Sequence, residues 1–383
     1  MKATTTHFRV GNGDMMLMVT ESGRRILVDC SIRQSADDPG TEHSDVAAQL
    51  RERLIRDLQG RLYVDAFLLT HPDQDHCRGL KRHFHLGKVE DWSKTADKIV
   101  IKEMWSSPVV FRRASTDHTL CDDALPWATE ARRRVAEFRK SGWLGDGDRI
   151  LIMGEDDNGK TDDLGPILIR VDQEFWTIAG TSEILSFTAR LLAPLPADDE
   201  DEETILSKND SSVVLSVAFQ SSAQEAARYL IGGDAEVAVW ERLWRRNKDR
   251  ASRLEYDVLI APHHCSWHSL SYYSWSLFKE EAKVSAEARN ALGQARQGAM
   301  VLASSKPIVD DDNDPPCIRA KREYESILSC KKGVFRCISD GTNDNPYELE
   351  VSTGGVTPKP KKVPATVASP YITGIGSQPF SHG

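Results

Sequence analysis

The chain has 383 residues and a net charge of −9, from 49 Lys and Arg against 58 Asp and Glu. That balance excludes a generally basic nucleic-acid coat, though not a local basic groove. Hydrophobic residues make up 40%, enough for a real core at this length, while no apolar run approaches the roughly 20 residues of a membrane-spanning helix. At about 150 residues per domain the length fits two or three units, or one large domain with insertions. The opening residues, MKATTTHFRV, lack the apolar stretch of a signal peptide, so the expected location is cytoplasmic. The seven cysteines (Cys30, Cys77, Cys121, Cys265, Cys317, Cys330 and Cys337) are scattered and odd in number, and none forms a CxxC pair. They read as reduced thiols, and a thiolate zinc knuckle is not expected.

Short apolar runs at His7–Val10, Met15–Thr20 and Arg25–Asp29, separated by Gly-containing turns, predict strands. Val46, Leu50, Leu54, Ile55 and Leu58 recur at helical spacing, which predicts a helix over Val46–Leu58. Val64–Thr70 is nearly continuous apolar, as a buried strand requires. Ile99–Trp105 and Arg149–Met153 predict strands and Ala128–Arg139 a helix. The stretch of about 81–190 is less regular and reads as an insertion on the main fold. Strands follow at Phe187–Leu192, Ser211–Phe219, Arg228–Ile231, Asp257–Ala261, Ala299–Ser304, Val334–Ser339 and Tyr347–Ser352, with helices at Glu236–Arg246 and Arg319–Leu328. Residues 1–353 are therefore assigned to one α/β unit, two sheets packed together with helices outside. Residues 354–383, rich in Pro, Gly, Ser, Lys and Thr, predict a disordered tail.

The segment Thr70-His71-Pro72-Asp73-Gln74-Asp75-His76 carries the strongest chemical signal. Four potential ligands lie directly after a buried strand, a rigid platform whose following loop can fold side chains back to one point. Neutral imidazoles with carboxylates suit zinc, manganese or iron. The segment is also open to a plainer reading, a polar loop in which Asp75 caps a helix starting near Cys77. Two later segments favour the metal. Gly232-Gly233-Asp234 places a carboxylate after a strand where glycine lets the backbone approach closely, although Asp234 alone could be a helix cap. Pro262-His263-His264-Cys265-Ser266 places two imidazoles after another buried strand, although a polar loop or a core histidine would look alike.

These segments carry a family resemblance. Gly11-Asn12-Gly13-Asp14, Ile26-Leu27-Val28-Asp29, and Leu69-Thr70-His71 through His76 with Gly79-Leu80 resemble the metallo-β-lactamase fold superfamily. Within it the chain looks like the hydrolase domain of ComEC-type DNA-uptake (competence) proteins, which share HxDxDH where most of the superfamily has HxHxDH. The likeness continues through Asn209–Leu215, Gly233–Glu236 and His263-His264-Cys265-Ser266 with Ser269. It departs at Cys265, where the family usually has Gly, and in lacking the membrane channel of the uptake proteins, so DNA transport does not carry over.

The resemblance implies a four-layer αββα sandwich with an insertion, and a centre of two divalent ions, Zn or Mn. His71 and Asp73 would hold one ion, Asp75 and His76 the other, and Asp234 would bridge. His264 would complete the second ion's ligands. Asp210 or Asn209 stands where the first ion's remaining ligand is often His. Asp75 and His263 are the catalytic candidates, with His263 contacting substrate or donating a proton. Asp14, Asp29 and Ser266 would support the ligands through hydrogen bonds. The implied activity is hydrolysis by a metal-bridging hydroxide. The substrate would carry a phosphate, with nucleic acid or a nucleotide cleaved as by a phosphodiesterase, and no membrane partner is expected. Hydrolysis of an ester, lactone, thioester or amide is a second reading. A binding or scaffold module with a residual metal site is a third.

Other polar features read as structure first. His83, His85, Arg112-Arg113 and Arg132–Arg134 fit solvated surface, Trp240 and Trp244 fit core, and Trp267, Tyr272, Tyr273 and Trp275 fit packing near the sheet.

Overall fold

A computed structural model describes residues 2–37, 44–108, 120–155, 159–195, 211–221, 224–340 and 344–359. In chain order, β1 (Ala3–His7), β2 (Met16–Val19), β3 (Arg25–Val28), β4 (Ile55–Arg56), β5 (Leu62–Leu69), β6 (Phe84–His85), β7 (Ile99–Ser106), β8 (Arg149–Met153) and β9 (Leu168–Ile169) build most of a first sheet. A second sheet takes β10 (Glu174–Phe175), β13 (Phe187–Ala193), β14 (Val214–Ser221), β15 (Gln224–Ile231), β16 (Tyr256–Ile260), β17 (Ala295–Ala303) and β18 (Val334–Cys337). Between β10 and β13, β11 (Thr177–Ile178) and β12 (Thr181–Ser182) pair with each other. The chain then returns to the first sheet through β19 (Tyr347–Ser352), antiparallel to β1, and β20 (Gly355–Pro358). Each sheet has an antiparallel half and a parallel half. The parallel strands are β3, β5, β7, β8 and β9 in the first, and β15 to β18 in the second.

Side chains alternate across a strand, and here the alternation sorts them into three apolar layers. On β5, Phe67 and Leu69 pack with the helices Val46–Arg51, Leu80–His83 and Ala124–Ser141. Ala66 and Leu68 of the same strand face the second sheet. On β15, Tyr229 and Ile231 meet that central layer. Leu230 instead faces the helices Val237–Asn247, Ala286–Leu292 and Ile318–Ser329. Two sheets between three apolar layers make a four-layer αββα sandwich. Each fully buried Leu, Phe or Val contributes roughly 1.5–3 kcal/mol, so the central layer holds the sheets in one register.

Most of the predicted strands and helices occur with shifted ends, but the strand expected at His7–Val10 lies instead at Ala3–His7, with Phe8–Val10 outside it. The helix expected over Val46–Leu58 stops at Arg51. Leu54 is still buried, but Ile55 leaves the helix to pair with Tyr63 of β5, and Leu58 is fully exposed. The stretch 81–190 supplies β6 to β9 of the first sheet and β10 of the second. Order extends past 353, because the turn before Gly355 returns β20 onto β19.

The central layer also encloses a carboxyl group. Glu103, 4% exposed on β7, accepts a hydrogen bond from Trp105 Nε1 at 2.6 Å. The backbone N–H groups of Ala179 and Gly180 in the β11–β12 turn also reach it. Burial pushes its pKa up to about 7. The folded state therefore holds this proton over a range where the unfolded chain, with an ordinary Glu near pH 4.5, has released it. By linkage, that contribution to stability is present below about pH 4.5 and is lost as pH rises towards 7. Urea unfolding at a series of pH values should show wild type losing stability relative to Glu103→Gln across that interval. A flat difference would contradict it.

Candidate metal centre

The chemistry-bearing loops all follow the C-terminal ends of strands in the parallel halves: Asp29 after β3, Thr70–His76 after β5, Asp234 after β15 and His263-His264 after β16. Strand ends at a sheet edge are a common ligand position in α/β folds. Backbone bonds tie the loops together. Val213 N donates to Thr70 O at 2.9 Å across the seam between the sheets. His263 N donates to Gly233 O at 3.0 Å, Cys30 N to His76 O at 2.7 Å and Asp14 N to Asp75 O at 3.2 Å.

Asp29 organises the first-sheet side. Its Oδ1 accepts from Thr70 N at 2.7 Å, and its Oδ2 from Thr70 Oγ1 at 2.7 Å. The same Oδ2 lies 2.8 Å from His76 Nδ1. A proton on Nδ1 serves that contact and leaves Nε2 of His76 bare and aimed into the site. Burial raises the Asp29 pKa, against the opposing pull of His76 and Thr70.

Asp234, 3% exposed, stands at the centre. Its Oδ1 lies 3.0 Å from His76 Nε2 and 3.6 Å from His264 Nε2. Its Oδ2 lies 3.4 Å from His71 Nε2 and 3.7 Å from His263 Nε2. One carboxylate thus faces two separate pairs of imidazoles with its two oxygens. His264 Nε2 is also 3.2 Å from Asp75 Oδ2, and His71 Nε2 is 3.9 Å from Asp73 Oδ2.

The His264 Nε2–Asp75 Oδ2 contact is a hydrogen bond, but proximity elsewhere in the cluster does not mean hydrogen bonding. His71 Nε2, His76 Nε2, Asp234 Oδ1, Asp14 Oδ1 and His264 Nδ1 are buried and have no aligned hydrogen-bond partner. An unsatisfied buried polar atom costs about 1–3 kcal/mol, and His71 Nε2 and His76 Nε2, both facing the Asp234 carboxylate, call for a common partner. Donor atoms of Asp14, His76, Asp234 and His264 all lie within 4.8 Å of one another, a spacing a cation would fit.

The electrostatics agree. Burial opposes charge on His76, His263, His264, Asp75 and Asp234, yet the mutual attraction of carboxylate and imidazole wins at all of these but His263. Against desolvation, the coulombic pull of Asp234 and Asp29 raises His76 well above its ordinary pKa. Asp234 and Asp14 help bring His264 to about 10. Asp234 and Asp75 are held below the usual carboxylate range, again against burial, by these imidazoles. At His263 burial prevails over Asp234, and its pKa falls. The pocket therefore demands positive charge, which protons supply when no ion is bound, and metal binding would release them.

Backbone strain accompanies the second-sheet ligands. His263, His264 and Cys265 take φ of 49°, 52° and 69° in succession. Left-handed non-glycine residues cost of order 1–3 kcal/mol each, and this run turns both imidazoles back over β16. Cys265 takes a conformation that glycine adopts freely. Its side chain is buried in the outer apolar layer, away from the imidazoles. Gly233 has φ of +50°, and a Cβ there would lie 2.8 Å from Thr70 Oγ1 and 2.9 Å from Thr70 Cβ.

Of the residues singled out in the sequence, His71, Asp73, Asp75, His76, Asp234, His263 and His264 come together at this point. Asp14, assigned a supporting place, is itself in the cluster, with Oδ1 3.6 Å from His264 Nδ1. Ser266 is buried, but its Oγ accepts from His268 N at 3.1 Å, so it caps the next turn. Asp210 and Asn209 lie outside the described residues. Thr70, which joins Asp29 to both His71 and His76, received no role from sequence. Neither did Glu236, whose Oε1 is 3.6 Å from His263 Nδ1. Thr70 precedes the first ligand and Glu236 follows Asp234 by two, so adjacency was the available signal.

No family model and no curated protein matches the chain. Among solved structures, the isothiocyanate hydrolase from Delia radicum gut bacteria is similar over 88% of this chain and 96% of its own. The identity is 12% and the TM-score 0.33. Likeness of that degree leaves the site's chemistry to be read from its own residues.

Two substitutions probe the scaffold. Asp29→Asn removes the charge behind His76 and should weaken metal binding about 10–100-fold, measured by competition with a chromophoric chelator. Gly233→Ala should push Thr70 off Asp29, lower stability by on the order of 2 kcal/mol and reduce bound metal. A variant with wild-type metal content would contradict the packing argument.

Proposed function

We propose that the chain is a metal-dependent hydrolase with two divalent ions, Zn or Mn, acting as a phosphodiesterase on nucleic acid or a nucleotide. The observation that carries the reading is the set of buried imidazole and carboxylate atoms without hydrogen bonds, converging on Asp234 from both sheets. The layer order and the placement of the loops fit the resemblance to the metallo-β-lactamase superfamily.

In this reading His71, Asp73 and Asp234 would hold one ion. Asp75, His76, His264 and Asp234 would hold the other. Two such cations acidify water and offset charge on phosphoryl oxygens. The oxygen-rich donor set, with Asp73, Asp75 and Asp234 and with Asp14 beside them, suits hard ions and phosphoryl substrates. Asp29 and Thr70 keep His76 in the tautomer that presents Nε2. His263 has an 18% exposed side chain, against 0–1% for the other three imidazoles, so it is the one that can meet substrate. Its role is to contact substrate and deliver a proton to the leaving oxygen, with Glu236 steadying the ring from Nδ1.

Metal analysis should find about two Zn or Mn ions per chain, and Asp75→Ala/His76→Ala should lose them. With either metal, wild type should cleave bis-p-nitrophenyl phosphate at least 100-fold faster than that double variant. Equal rates would remove the enzyme reading. Bound metal with cleavage of p-nitrophenyl acetate alone would move the activity to acyl hydrolysis.

A further inference from the structure

A second site lies beside the metal cluster, on residues to which the reading above gives no role. Arg9, Val10, Gly11, Ser31, Arg33, Ser44, Val46 and Lys306 line a cavity of about 170 Å³. Three of these residues are cationic and none is acidic. Arg33 carries the argument. Its Nε is buried without a hydrogen-bond partner, and among the described residues no carboxylate pairs with it. Burial, and then repulsion from Arg78, lower its pKa, as expected of a guanidinium with no counter-charge. Lys306 has no ion pair among the described residues either.

Several other arginines are matched by carboxylates within the protein. Arg51 and Arg56 share Asp97, Arg61 pairs with Asp57 and Arg53 with Glu348. A larger cavity of about 490 Å³ is also rich in arginine, but there Arg190 pairs with Glu174, Arg228 with Glu225 and Arg253 with Asp172. Three of the four arginines in that cleft are thus matched within the protein. In a chain of net charge −9, Arg33 and Lys306, two cations without a carboxylate partner among the described residues, mark a pocket suited to an incoming anion.

The pocket's walls are local and specific. Gly11 takes φ of +77°, and a Cβ there would lie 3.0 Å from Arg33 Nη2 and 3.8 Å from Lys306 Cγ. Glycine thus lets the two cationic chains flank one loop. Lys306 N donates to Asn12 Oδ1 at 2.9 Å, which fixes that side of the pocket. Arg9 gives one Nη2 bond to Asp340 O at 2.8 Å, which holds its guanidinium in place. Ser31 Oγ is buried with no hydrogen-bond partner and supplies a neutral donor.

The same two loops serve both sites. Gly11 lines the pocket and Asp14 belongs to the metal cluster, and three residues span at most about 10–11 Å. Likewise Asp29 orients His76, while Ser31 and Arg33 line the pocket. We propose that this pocket binds a phosphate group of the substrate, one remote from the bond cleaved, so that the preferred substrate is an oligonucleotide or nucleotide carrying a second phosphate. The substrate assignment rests on the phosphodiesterase reading; the anion site itself does not.

Calorimetric titration of the metal-loaded protein tests it, with three probes: inorganic phosphate, a thymidine dinucleotide and the same dinucleotide with a 5′-phosphate. The phosphorylated dinucleotide should bind at least tenfold tighter than the unphosphorylated one, and inorganic phosphate should compete. Arg33→Gln and Lys306→Gln should each abolish that preference. Lys306 is exposed, so its variant should fold even if Arg33→Gln does not. Arg250→Gln, in the larger cleft, should retain the preference. Equal binding of the two dinucleotides to wild type would overturn the proposal, as would a preference that survives both Gln variants. If the phosphate preference is present while bis-p-nitrophenyl phosphate is not cleaved, the anion site stands and the phosphodiesterase reading falls.

Discussion

Ionisable groups taken out of water must be matched by opposite charge, and that requirement governs the seam between the two sheets. Asp14, Asp29, Asp234, His71, His76 and His264 are all buried there. Left unmatched, each buried charge would cost several kcal/mol. Asp29 is matched within the protein by Thr70 and His76. Asp234 is surrounded by imidazoles at distances and angles that satisfy charge without satisfying hydrogen bonds. The fold stores this partial mismatch because the central apolar layer is extensive enough to keep both sheets in place around it.

The division of labour follows from topology. The first sheet contributes the loop with the densest set of donors and the residues that orient it. The second contributes Asp234 and the strained histidine pair. Left-handed φ at His263, His264 and Cys265 is held by neighbouring bonds, including Ser266 N to His263 O at 2.9 Å and Cys317 N to Cys265 O at 3.0 Å. Strain on one side and rigid hydrogen bonding on the other give a site whose geometry is set before anything binds, which favours tight capture of a ligand.

Much of this was legible in the sequence. The strands before each ligand loop are apolar runs, so their existence and order could be read directly. The His and Asp residues stand out because so many donors follow buried strands. What could not be read depends on three-dimensional neighbours. The early end of the helix at Arg51 comes from the pairing of Ile55 with Tyr63. The pairing of β20 with β19 overrides a composition that looks disordered. Asp14's entry into the cluster depends on a loop packed against Asp75, which spacing does not encode. That no carboxylate among the described residues pairs with Arg33 is visible only in the folded chain.

The ligands are split between residues 14–76 and 234–264, and this separation has a consequence for biosynthesis. While the protein is being made, a nascent chain that has emerged only as far as β14 presents imidazoles and carboxylates but no Asp234 to draw them together. In the metal-dependent reading, ion capture would wait until His264 has cleared the ribosome, so that metal loading would report that the two halves have met.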